Sequence, residues 1–405
     1  MLSQTVYRVT SQTGIDGLES FQEPVPTAGK HEILVKVLSV ALNFRDIAII
    51  NGTYPVAVKE NVVPCSDMAG EVVQVGEGVV SFTEGELVTA PVSLDTVYGP
   101  VRDGASSLGG TEDGVLRQYL TLPASSAIRL PKSNLGPNEW AATVTTGYTV
   151  WNAFYGSTPL RPGDTVLALG TGGVSVLAVI IAKAAGATTI ITSSSDDKLE
   201  QVKKLFQVDH TINYKTHPAW AEEAMTLTNG HGVDHVIEVG GVGTIEQSIA
   251  AVTNGGTVSV IGFLASLPDD RMPNVTLQIL LKGAKLRGVL GGSKMQLEEA
   301  IRFIAARNLP VPVDKVFPFT KEGILAAIKL EVQMKRDKVI LMFSPRTESQ
   351  FHFTVEMFPT APERSEVRGK EVPRFEYLDL ARIGKSASRV AISISTPTAF
   401  NTQSN

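Results

Sequence analysis

The chain has 405 residues, of which 43% are hydrophobic, and a formal net charge of −5. This length predicts two domains, or two domains and a tail, with enough apolar residues for substantial cores. The mildly acidic charge argues against a nucleic-acid partner, which normally requires a basic surface. The single cysteine, Cys65, excludes an internal disulfide and any metal site built from several cysteines.

The first 125 residues are typical of short β-strands interrupted by glycine and proline. Residues 33–40 and 70–75 alternate loosely and are rich in β-branched side chains, which favours strands. Residues 93–110 show no helical period and are interpreted as loop.

From about residue 160 the pattern changes to alternating strands and helices, which is typical of a parallel sheet. The predicted strands cover residues 165–169, 189–192, 235–239, 257–261 and 286–290, and the predicted helices cover 174–185, 196–206 and 294–307. Beyond residue 343 the charge is scattered and the end is rich in serine, threonine and asparagine, so 344–405 is predicted to be a disordered extension.

No segment predicts secretion or insertion into a membrane. Residues 1–8 lack the apolar core of a secretory signal. The longest apolar run, around 174–185, is too short and too interrupted to span a bilayer. We therefore expect a soluble protein of a reducing compartment, the cytoplasm.

The most specific motif is a glycine-rich turn, Leu169-Gly-Thr-Gly-Gly-Val-Ser175, between a predicted strand and a predicted helix. Glycines let the backbone approach a pyrophosphate, and a helix N-terminus offers free N–H groups and partial positive charge. Ser175 replaces the usual third glycine, but its small side chain still allows close packing of helix on sheet. A second strand about 20 residues further on completes the pattern of a dinucleotide site.

The end of that second strand indicates which dinucleotide binds. An NAD site normally has an acidic residue there for the ribose 2′-hydroxyl. This chain has Ser193-Ser-Ser195 instead, with Lys198 in the first turn of the next helix. Hydroxyl groups and a cation suit a 2′-phosphate, so NADPH is favoured over NADH. The alternative is that Ser195 or Asp196 only caps the helix and Lys198 is solvated.

Motifs along residues 1–343 resemble the quinone-oxidoreductase-like, zinc-type alcohol dehydrogenase-like branch of the medium-chain dehydrogenase/reductase superfamily. They are Ala41-Leu-Asn-Phe-Arg-Asp46, Pro64-Cys-Ser-Asp-Met-Ala-Gly-Glu71, Thr146-Gly-Tyr148, the glycine turn, Ala182-Lys-Ala-Ala-Gly-Ala187 and Gly232-Val-Asp-His-Val-Ile-Glu-Val-Gly240. The resemblance implies an α/β fold in which a doubly wound Rossmann sheet joins a β-rich GroES-like catalytic domain. The corresponding boundaries are 1–125 completed by 295–343 for the catalytic domain and 126–294 for the Rossmann domain.

The resemblance also indicates which residues form the cofactor site. Thr146 is expected beside the nicotinamide, and Gly170, Gly172, Gly173 and Val174 at the pyrophosphate. Ser193, Ser194, Lys198 and Tyr214 are expected around the adenosine ribose phosphate. The segments expected along the nicotinamide are Val239 and Gly240, Ile261, Gly262 and Phe263, and Leu290 and Gly291. Ordinary core packing is the alternative for each apolar member.

Zinc-dependent relatives place a cysteine where this chain has Asn43, a histidine–glutamate pair at Ser66-Asp67, and a third ligand near Ala142. None of these positions carries a thiolate or an imidazole, and zinc needs about three strong ligands. His231 and His235 have helical spacing, but a strand begins at His235. We therefore expect no metal and no zinc at this site.

A metal-free site favours reduction of a C=C bond conjugated to a carbonyl, or of a quinone, because a few hydrogen-bond donors can hold the charge on the carbonyl oxygen. The candidate donors are Asn43, Tyr54 and Arg45. Asn43 could instead only satisfy backbone groups, and Arg45 with Asp46 could be a structural ion pair. The sequence predicts an NADPH-dependent enone, enoyl or quinone reductase with a small-molecule substrate, no nucleic-acid or membrane partner, and homodimer formation left open. Two alternatives remain: a zinc-free alcohol dehydrogenase or carbonyl reductase of a biosynthetic pathway, and a nucleotide-binding protein without turnover.

Overall fold

The computed structural model describes residues 2–102, 106–262, 264, 273–334 and 339–342, with side chains up to residue 330. The predicted extension 344–405 and the candidate residue Phe263 lie outside the described residues. Among the described helices, none combines the length and the apolar composition that a bilayer crossing requires.

A six-stranded parallel sheet forms the second half of the described chain. Its strand order is β10-β9-β8-β11-β12-β13. This is the doubly wound order, in which strands are added on one side of β8 up to β10 and on its other side from β11 onward. These strands are β8 (Thr165–Ala168), β9 (Thr188–Ser193), β10 (His210–Asn213), β11 (Val233–Glu238), β12 (Val252–Val260) and β13 (Lys285–Gly288). The predicted Rossmann sheet is confirmed, and each predicted strand overlaps an observed one.

Helices cover this sheet because its strands are apolar on both faces. They are α3 (Gly173–Ala184), α4 (Asp196–Phe206), α5 (Trp220–Leu227), α6 (Ile245–Ala251), α7 (Val275–Lys282) and α8 (Lys294–Ala306). Helix α3 is apolar except for Ser175 and for Lys183 in its last turn, and it is buried from Ser175 to Ala182. Its burial fixes the position of the glycine turn that precedes it.

The β-rich part contains a seven-stranded sheet in the order β14-β15-β3-β4-β5-β7, with β6 paired to β3. Its elements are β3 (Glu32–Ala41), β4 (Asp67–Val75), β5 (Leu87–Thr89), β6 (Tyr119–Pro123), β7 (Ile128–Arg129), β14 (Lys315–Pro318) and β15 (Val339–Met342), and a separate hairpin joins β1 (Ser3–Val9) to β2 (Leu18–Pro24). Strands from both ends of the described chain therefore share one sheet, as the predicted GroES-like domain requires.

Three further helices complete the described chain: α1 (Phe44–Ile50), α2 (Pro137–Tyr155) and α9 (Lys321–Met334). Helix α2 begins with Pro137 in its first turn, where proline has no backbone hydrogen bond to lose. Glu139 accepts a hydrogen bond from Gly136 N (3.0 Å), which satisfies another group at this helix start. Helix α2 contacts β3 and β4 on one side and α3 and α8 on the other, so it links the two halves of the protein.

Candidate active site

The glycine turn lies at the end of β8, beside the point where the strand order reverses. Gly170 has φ +74°, which favours glycine, and its N–H donates to Thr192 Oγ1 (3.0 Å). No side chain caps α3 at Gly172. The buried Thr171 hydroxyl has no hydrogen-bond partner among the described residues. Uncapped helix N–H groups and an unsatisfied hydroxyl fit a pyrophosphate, which would accept hydrogen bonds from them.

The serine that replaces the third glycine has a structural role. Ser175 is buried, and its hydroxyl donates to Leu169 O (2.6 Å) across the turn. The side chain therefore satisfies its own hydrogen bond without displacing the helix from the sheet.

Polar groups surround the end of β9, where NAD sites carry an acidic residue. Ser193 is buried, and its hydroxyl accepts from Ser195 N (3.4 Å). Ser195 caps α4 by accepting from Lys198 N (3.4 Å), so the capping interpretation holds for this serine. Tyr214 N donates to Ser193 O (3.0 Å) from the neighbouring strand end.

The first acidic side chain of this corner is held by a neighbour. Asp196 Oδ1 accepts a hydrogen bond from Asn213 Nδ2 (2.8 Å). Ser194, Lys198 and Tyr214 are partly buried beside it. The end of β9 thus carries the hydroxyl groups of Ser193 and Ser194, and Lys198 follows in the first turn of α4.

A buried glutamate shapes the turn after β11. Glu238 Oε1 accepts from Gly240 N (2.7 Å), Gly241 N (2.9 Å) and Thr244 Oγ1 (2.6 Å), while Oε2 accepts from Ser248 Oγ. Four donors thus surround one fully buried carboxylate. Because the backbone at Val239–Gly240 follows it directly, Glu238 determines the path of this predicted nicotinamide segment.

The other nicotinamide segments converge on the same edge. A methyl group added at Gly262 would lie 2.4 Å from Val239 O, so the ends of β11 and β12 approach closely there. Ile261 N donates to Glu238 O (2.8 Å). Leu290, after β13, is 76% exposed, and Gly291 has φ +64°.

Helix α2 holds the Leu290–Gly291 segment through Asn152. Asn152 Nδ2 donates to Gly291 O (2.7 Å). Its Oδ1 accepts from Arg287 Nη2 (2.6 Å) and from Gln296 Nε2 (3.0 Å), and Arg287 Nη1 donates to Asn152 O (2.7 Å). Tyr148 of α2 also packs against this segment, because a methyl group added at Gly291 would lie 2.9 Å from its ring. Thr146 is buried and its hydroxyl donates to Ala142 O (2.5 Å), so its oxygen remains an acceptor.

The predicted catalytic residues lie around α1. Asn43 is the N-cap of α1, and its N–H donates to Asp46 Oδ2 (2.8 Å) in a capping box. Arg45 donates to Leu108 O (2.9 Å) and Ser107 Oγ (3.1 Å). Its guanidinium also lies 3.6 Å from Asp46 Oδ1 and 5.5 Å from the centre of the Tyr54 ring. Arg45 and Tyr54 are therefore neighbours, while Asn43 and Arg45 both also support local structure.

The positions that the resemblance assigns to zinc ligands in relatives carry a hydrogen-bond network in this chain. Asp67 is fully buried and accepts from Ser66 Oγ (2.8 Å), Thr145 N (2.9 Å) and Thr145 Oγ1 (2.6 Å). Asn43 and Ala142 offer no strong ligand. In the part of the chain that is described, no group of three or more His, Cys, Asp or Glu could hold a metal ion. The residues at this place do not fit zinc.

Tyr148 lies close to both the Asp67–Thr145 network and the Arg45–Tyr54 pair. Its hydroxyl is 3.4 Å from Thr145 Oγ1. Burial, followed by the charge of Asp67, raises the pKa of this phenol far above its usual value, so it stays protonated. Arg45 acts on it in the opposite direction and Tyr54 is also in electrostatic range.

Sequence reasoning did not single out Glu238, Asn152 or the Asp67–Thr145 pair. Glu238 carried one usable signal, because an acidic side chain ends an otherwise apolar strand in a parallel sheet. Asn152 and Thr145 lie in α2, and their contacts join residues 78 to 144 positions apart. Such long-range pairs leave no local pattern.

Comparisons with known proteins point to one family. Residues 29–132 match the model of the alcohol dehydrogenase GroES-like domain, and residues 173–306 match that of the zinc-binding dehydrogenases. A zinc-type alcohol dehydrogenase-like protein of Schizosaccharomyces pombe is 44% identical over 315 residues, which cover 76% of this chain and 90% of that protein. An L-threonine 3-dehydrogenase of Bacillus licheniformis is 32% identical over 66% of this chain and 78% of its own length. The crystal structure of a putative alcohol dehydrogenase from Sinorhizobium meliloti superposes with a TM-score of 0.76 at 33% identity, covering 85% of this chain and 100% of that one.

Proposed function

Because the chain belongs to the medium-chain dehydrogenase/reductase superfamily and is therefore a nucleotide-dependent oxidoreductase, we propose that it is an NADPH-dependent, metal-independent reductase. Its substrate is a small molecule with an activated C=C bond or a quinone: an enone, an enoyl compound or a quinone. One observation carries the proposal. The place that holds zinc in relatives is filled by Asn43, Ser66, Asp67 and Ala142, which cannot supply three ligands but do supply a hydrogen-bond network.

The preference for NADPH rests on the end of β9. Ser193 and Ser194 stand where a carboxylate would bind a ribose 2′-hydroxyl, and Lys198 follows in the first turn of α4. Asp196 is engaged by Asn213. Tyr214 completes this corner. A 2′-phosphate finds hydroxyl donors and a cation there.

The reaction follows from what the site can stabilise. Oxidising a simple alcohol without a metal requires a general base, because the pKa of an alcohol hydroxyl lies far above neutral pH. Reducing a conjugated C=C bond requires only donors for a carbonyl oxygen that gains negative charge. When bound, NADPH supplies the hydride. We assign Tyr54, Asn43 and Arg45 to the substrate side of the cleft, with Arg45 fixing the orientation of Tyr54 from 5.5 Å.

The rest of the cofactor site is assigned by position. Gly170, Gly172, Gly173 and Val174 would bind the pyrophosphate at the start of α3, and Thr146 would meet the nicotinamide. Backbone of Val239, Gly240, Ile261, Gly262, Leu290 and Gly291 would run along the same ring. The glycine turn and Val239–Gly240 follow β8 and β11, the two strands on either side of the strand-order reversal, and this position supports the assignment.

We further propose a homodimer in the cytoplasm. Strand β13 ends the six-stranded sheet, so one of its edges is open among the described strands. Leu280, Leu281 and Leu286 beside it are 75%, 76% and 40% exposed. An apolar surface next to an open sheet edge favours pairing with a second copy. Analytical ultracentrifugation tests this proposal, and a monomer at micromolar concentration contradicts it.

A second candidate is a zinc-free alcohol dehydrogenase or carbonyl reductase. The names of the relatives, an alcohol dehydrogenase-like protein and an L-threonine dehydrogenase, favour it. It requires the same cofactor site but a different substrate, so the substrate panel separates the two.

The test is oxidation of NADPH and NADH by chelator-treated protein with enones, quinones and simple aldehydes. We expect turnover of enones or quinones with NADPH that is unchanged by the chelator. Turnover of aldehydes or ketones alone would establish the second candidate. Activity that is lost with chelator and restored by zinc would contradict metal independence.

A substitution of Ser194 tests the preference for NADPH over NADH. Ser194→Asp places a negative charge beside the 2′-phosphate, and we expect kcat/KM with NADPH to fall by more than about tenfold because like charges repel at short range. Ser194→Asn has a similar size and no charge, so it serves as the matched control. Equal effects of both variants, or a wild-type preference for NADH, would contradict the assignment.

A further inference from the structure

A chain of hydrogen-bonding side chains begins at Asp67, one of the positions that the resemblance assigns to a zinc ligand in relatives. It runs from Asp67 in β4 through Thr145 to Tyr148 in α2, with 2.6 Å between Asp67 Oδ1 and Thr145 Oγ1 and 3.4 Å between Thr145 Oγ1 and the Tyr148 hydroxyl. Ser66 Oγ and Thr145 N also donate to Asp67. Asp67 is thus held in one position by three donors.

The hydrogens in this chain have a definite direction. An ionised carboxylate only accepts, so the single hydroxyl hydrogen of Thr145 is given to Asp67. The Thr145 oxygen then remains an acceptor, and the hydrogen in its contact with Tyr148 comes from the phenol. At 3.4 Å this contact is well beyond the usual O–H···O distance of about 2.7–2.8 Å. The phenol hydrogen is therefore weakly held and available to a better-placed acceptor.

Tyr148 lies where the substrate and the nicotinamide would meet. A methyl group added at Gly291 would be 2.9 Å from the Tyr148 ring, so the tyrosine packs directly on the predicted nicotinamide segment. Arg45 and Tyr54, on the substrate side, interact with it electrostatically.

We propose that Tyr148 is a catalytic residue that donates a hydrogen bond to the carbonyl oxygen of the substrate, with Thr145 and Asp67 as positioning residues. This inference rests on the proposed function. The substrate's β-carbon accepts the hydride, the C=C electron pair moves toward the carbonyl, and negative charge collects on the oxygen that Tyr148 holds. A water proton then adds to the α-carbon, so the substrate gains two electrons and two hydrogens while the phenol keeps its own proton.

A phenol in this environment suits such a role. Burial and the negative charge of Asp67 both disfavour the phenolate, so the hydroxyl remains a donor throughout the neutral pH range. An unionised donor aimed at a developing oxyanion in a dry site needs no reorganisation during the reaction. This arrangement performs by hydrogen bonding what a Lewis acid performs in zinc enzymes.

The decisive variant is Tyr148→Phe in the full chain, with Tyr119→Phe, on β6, as the matched control. We expect Tyr148→Phe to lower kcat by about 10²–10³-fold, the range for loss of one oxyanion donor. NADPH binding, measured by its fluorescence, should be unchanged. Tyr119→Phe should behave as wild type. A kcat within about threefold of wild type for Tyr148→Phe would overturn the proposal.

Two substitutions of Thr145 give a second test, in which the conservative variant controls for a loss of stability. Thr145→Ser keeps the hydroxyl and should retain most of kcat, whereas Thr145→Val removes it and should lower kcat by about tenfold or more. Loss of kcat in both variants with normal NADPH binding would contradict a role for the hydroxyl.

A spectroscopic readout is independent of turnover. The infrared carbonyl stretch of 2-cyclohexenone bound to the complex with oxidised cofactor should shift to lower frequency in wild type and not in Tyr148→Phe. An identical carbonyl frequency in both proteins would overturn the proposal. If wild type reduces only aldehydes and Tyr148→Phe loses that activity, the proposed substrate class fails while the role of Tyr148 stands.

Discussion

Glu238 is the residue through which stability and cofactor binding are most directly connected. Its carboxylate is fully buried and accepts hydrogen bonds from Gly240 N, Gly241 N, Thr244 Oγ1 and Ser248 Oγ. Two of these donors are backbone groups of the turn that continues Val239. Removing the carboxylate therefore releases a turn that is proposed to lie along the nicotinamide.

Two substitutions separate the contributions of charge and shape. Glu238→Gln keeps one oxygen for the backbone donors, and the Ser248 hydroxyl can rotate to accept from the new amide, so the loss is mainly that of charge-assisted bonds. We expect the free energy of unfolding to fall by about 1–3 kcal/mol. Glu238→Ala leaves Gly240 N, Gly241 N and Ser248 Oγ without this acceptor in a buried space, and we expect a loss of about 3–5 kcal/mol.

The assay combines urea unfolding with titration of NADPH fluorescence on the folded protein. Glu246→Gln, an exposed change in the adjacent α6, is the matched control and should alter stability by less than about 0.5 kcal/mol. We expect Glu238→Gln to weaken NADPH binding as well as stability. Stability and NADPH affinity equal to those of the control would refute the reasoning.

The remaining predictions concern other parts of the described chain. Burial lowers the pKa of His235, so folding favours its neutral form. The contribution of neutral His235 to stability is complete above the unfolded pKa of about 6.5 and is lost as pH falls below it. His235→Gln should therefore make the free energy of unfolding less dependent on pH between about pH 6.5 and pH 5, and an unchanged pH dependence would contradict this. Gly291→Ala should weaken NADPH binding because φ is +64° and the methyl group would lie 2.9 Å from a tyrosine ring, whereas Gly288→Ala meets no atom within 4 Å and should bind normally; equal affinities would contradict this. Asn152→Ala removes the acceptor and donor that join Arg287 to the Gly291 carbonyl, and we expect KM for NADPH to rise by about tenfold with little change in substrate KM; a reversed pattern in the two KM values would show that Asn152 serves the substrate side.

Local patterns predicted the Rossmann half well. The strand ending at Ala168 and the helix after Gly172 were found from an apolar run, glycines and a second apolar run, because each signal lies within 20 residues. Helix α4 begins and ends where the sequence predicted, at Asp196 and Phe206, because Ser195 is a strong N-cap.

The sequence analysis predicted no helix at α1 or α2. Helix α1 is only seven residues long and is mostly apolar, so its period is not visible. Helix α2 contains threonines, valines and Gly147, which are poor helix formers, and is buried along most of its length. Its stability comes from contacts with the β-rich sheet and with helices α3 and α8 rather than from a polar and an apolar face.

The candidate site was predictable only in part. Backbone cradles such as the Gly170–Val174 turn follow from glycine and strand positions. Side-chain partners such as Asp67 with Thr145, or Asn152 with Arg287, depend on how α2 packs between the β-rich sheet and the Rossmann half. Their residue types are common, and only the tertiary contact gives them a role.

Helix α2 fixes the spacing between contacts that it makes with the two halves of the molecule. Thr145, Tyr148 and Asn152 are spaced three and four residues apart, so they lie on one face of the helix. That face reaches Asp67 at one end and the Gly291 carbonyl at the other. About two turns of α2, roughly 10 Å of helix rise, therefore separate its contact with β4 from its contact with the segment after β13. Any change of register in α2 would therefore displace the Thr145 contact with Asp67 and the Asn152 contact with Gly291 together.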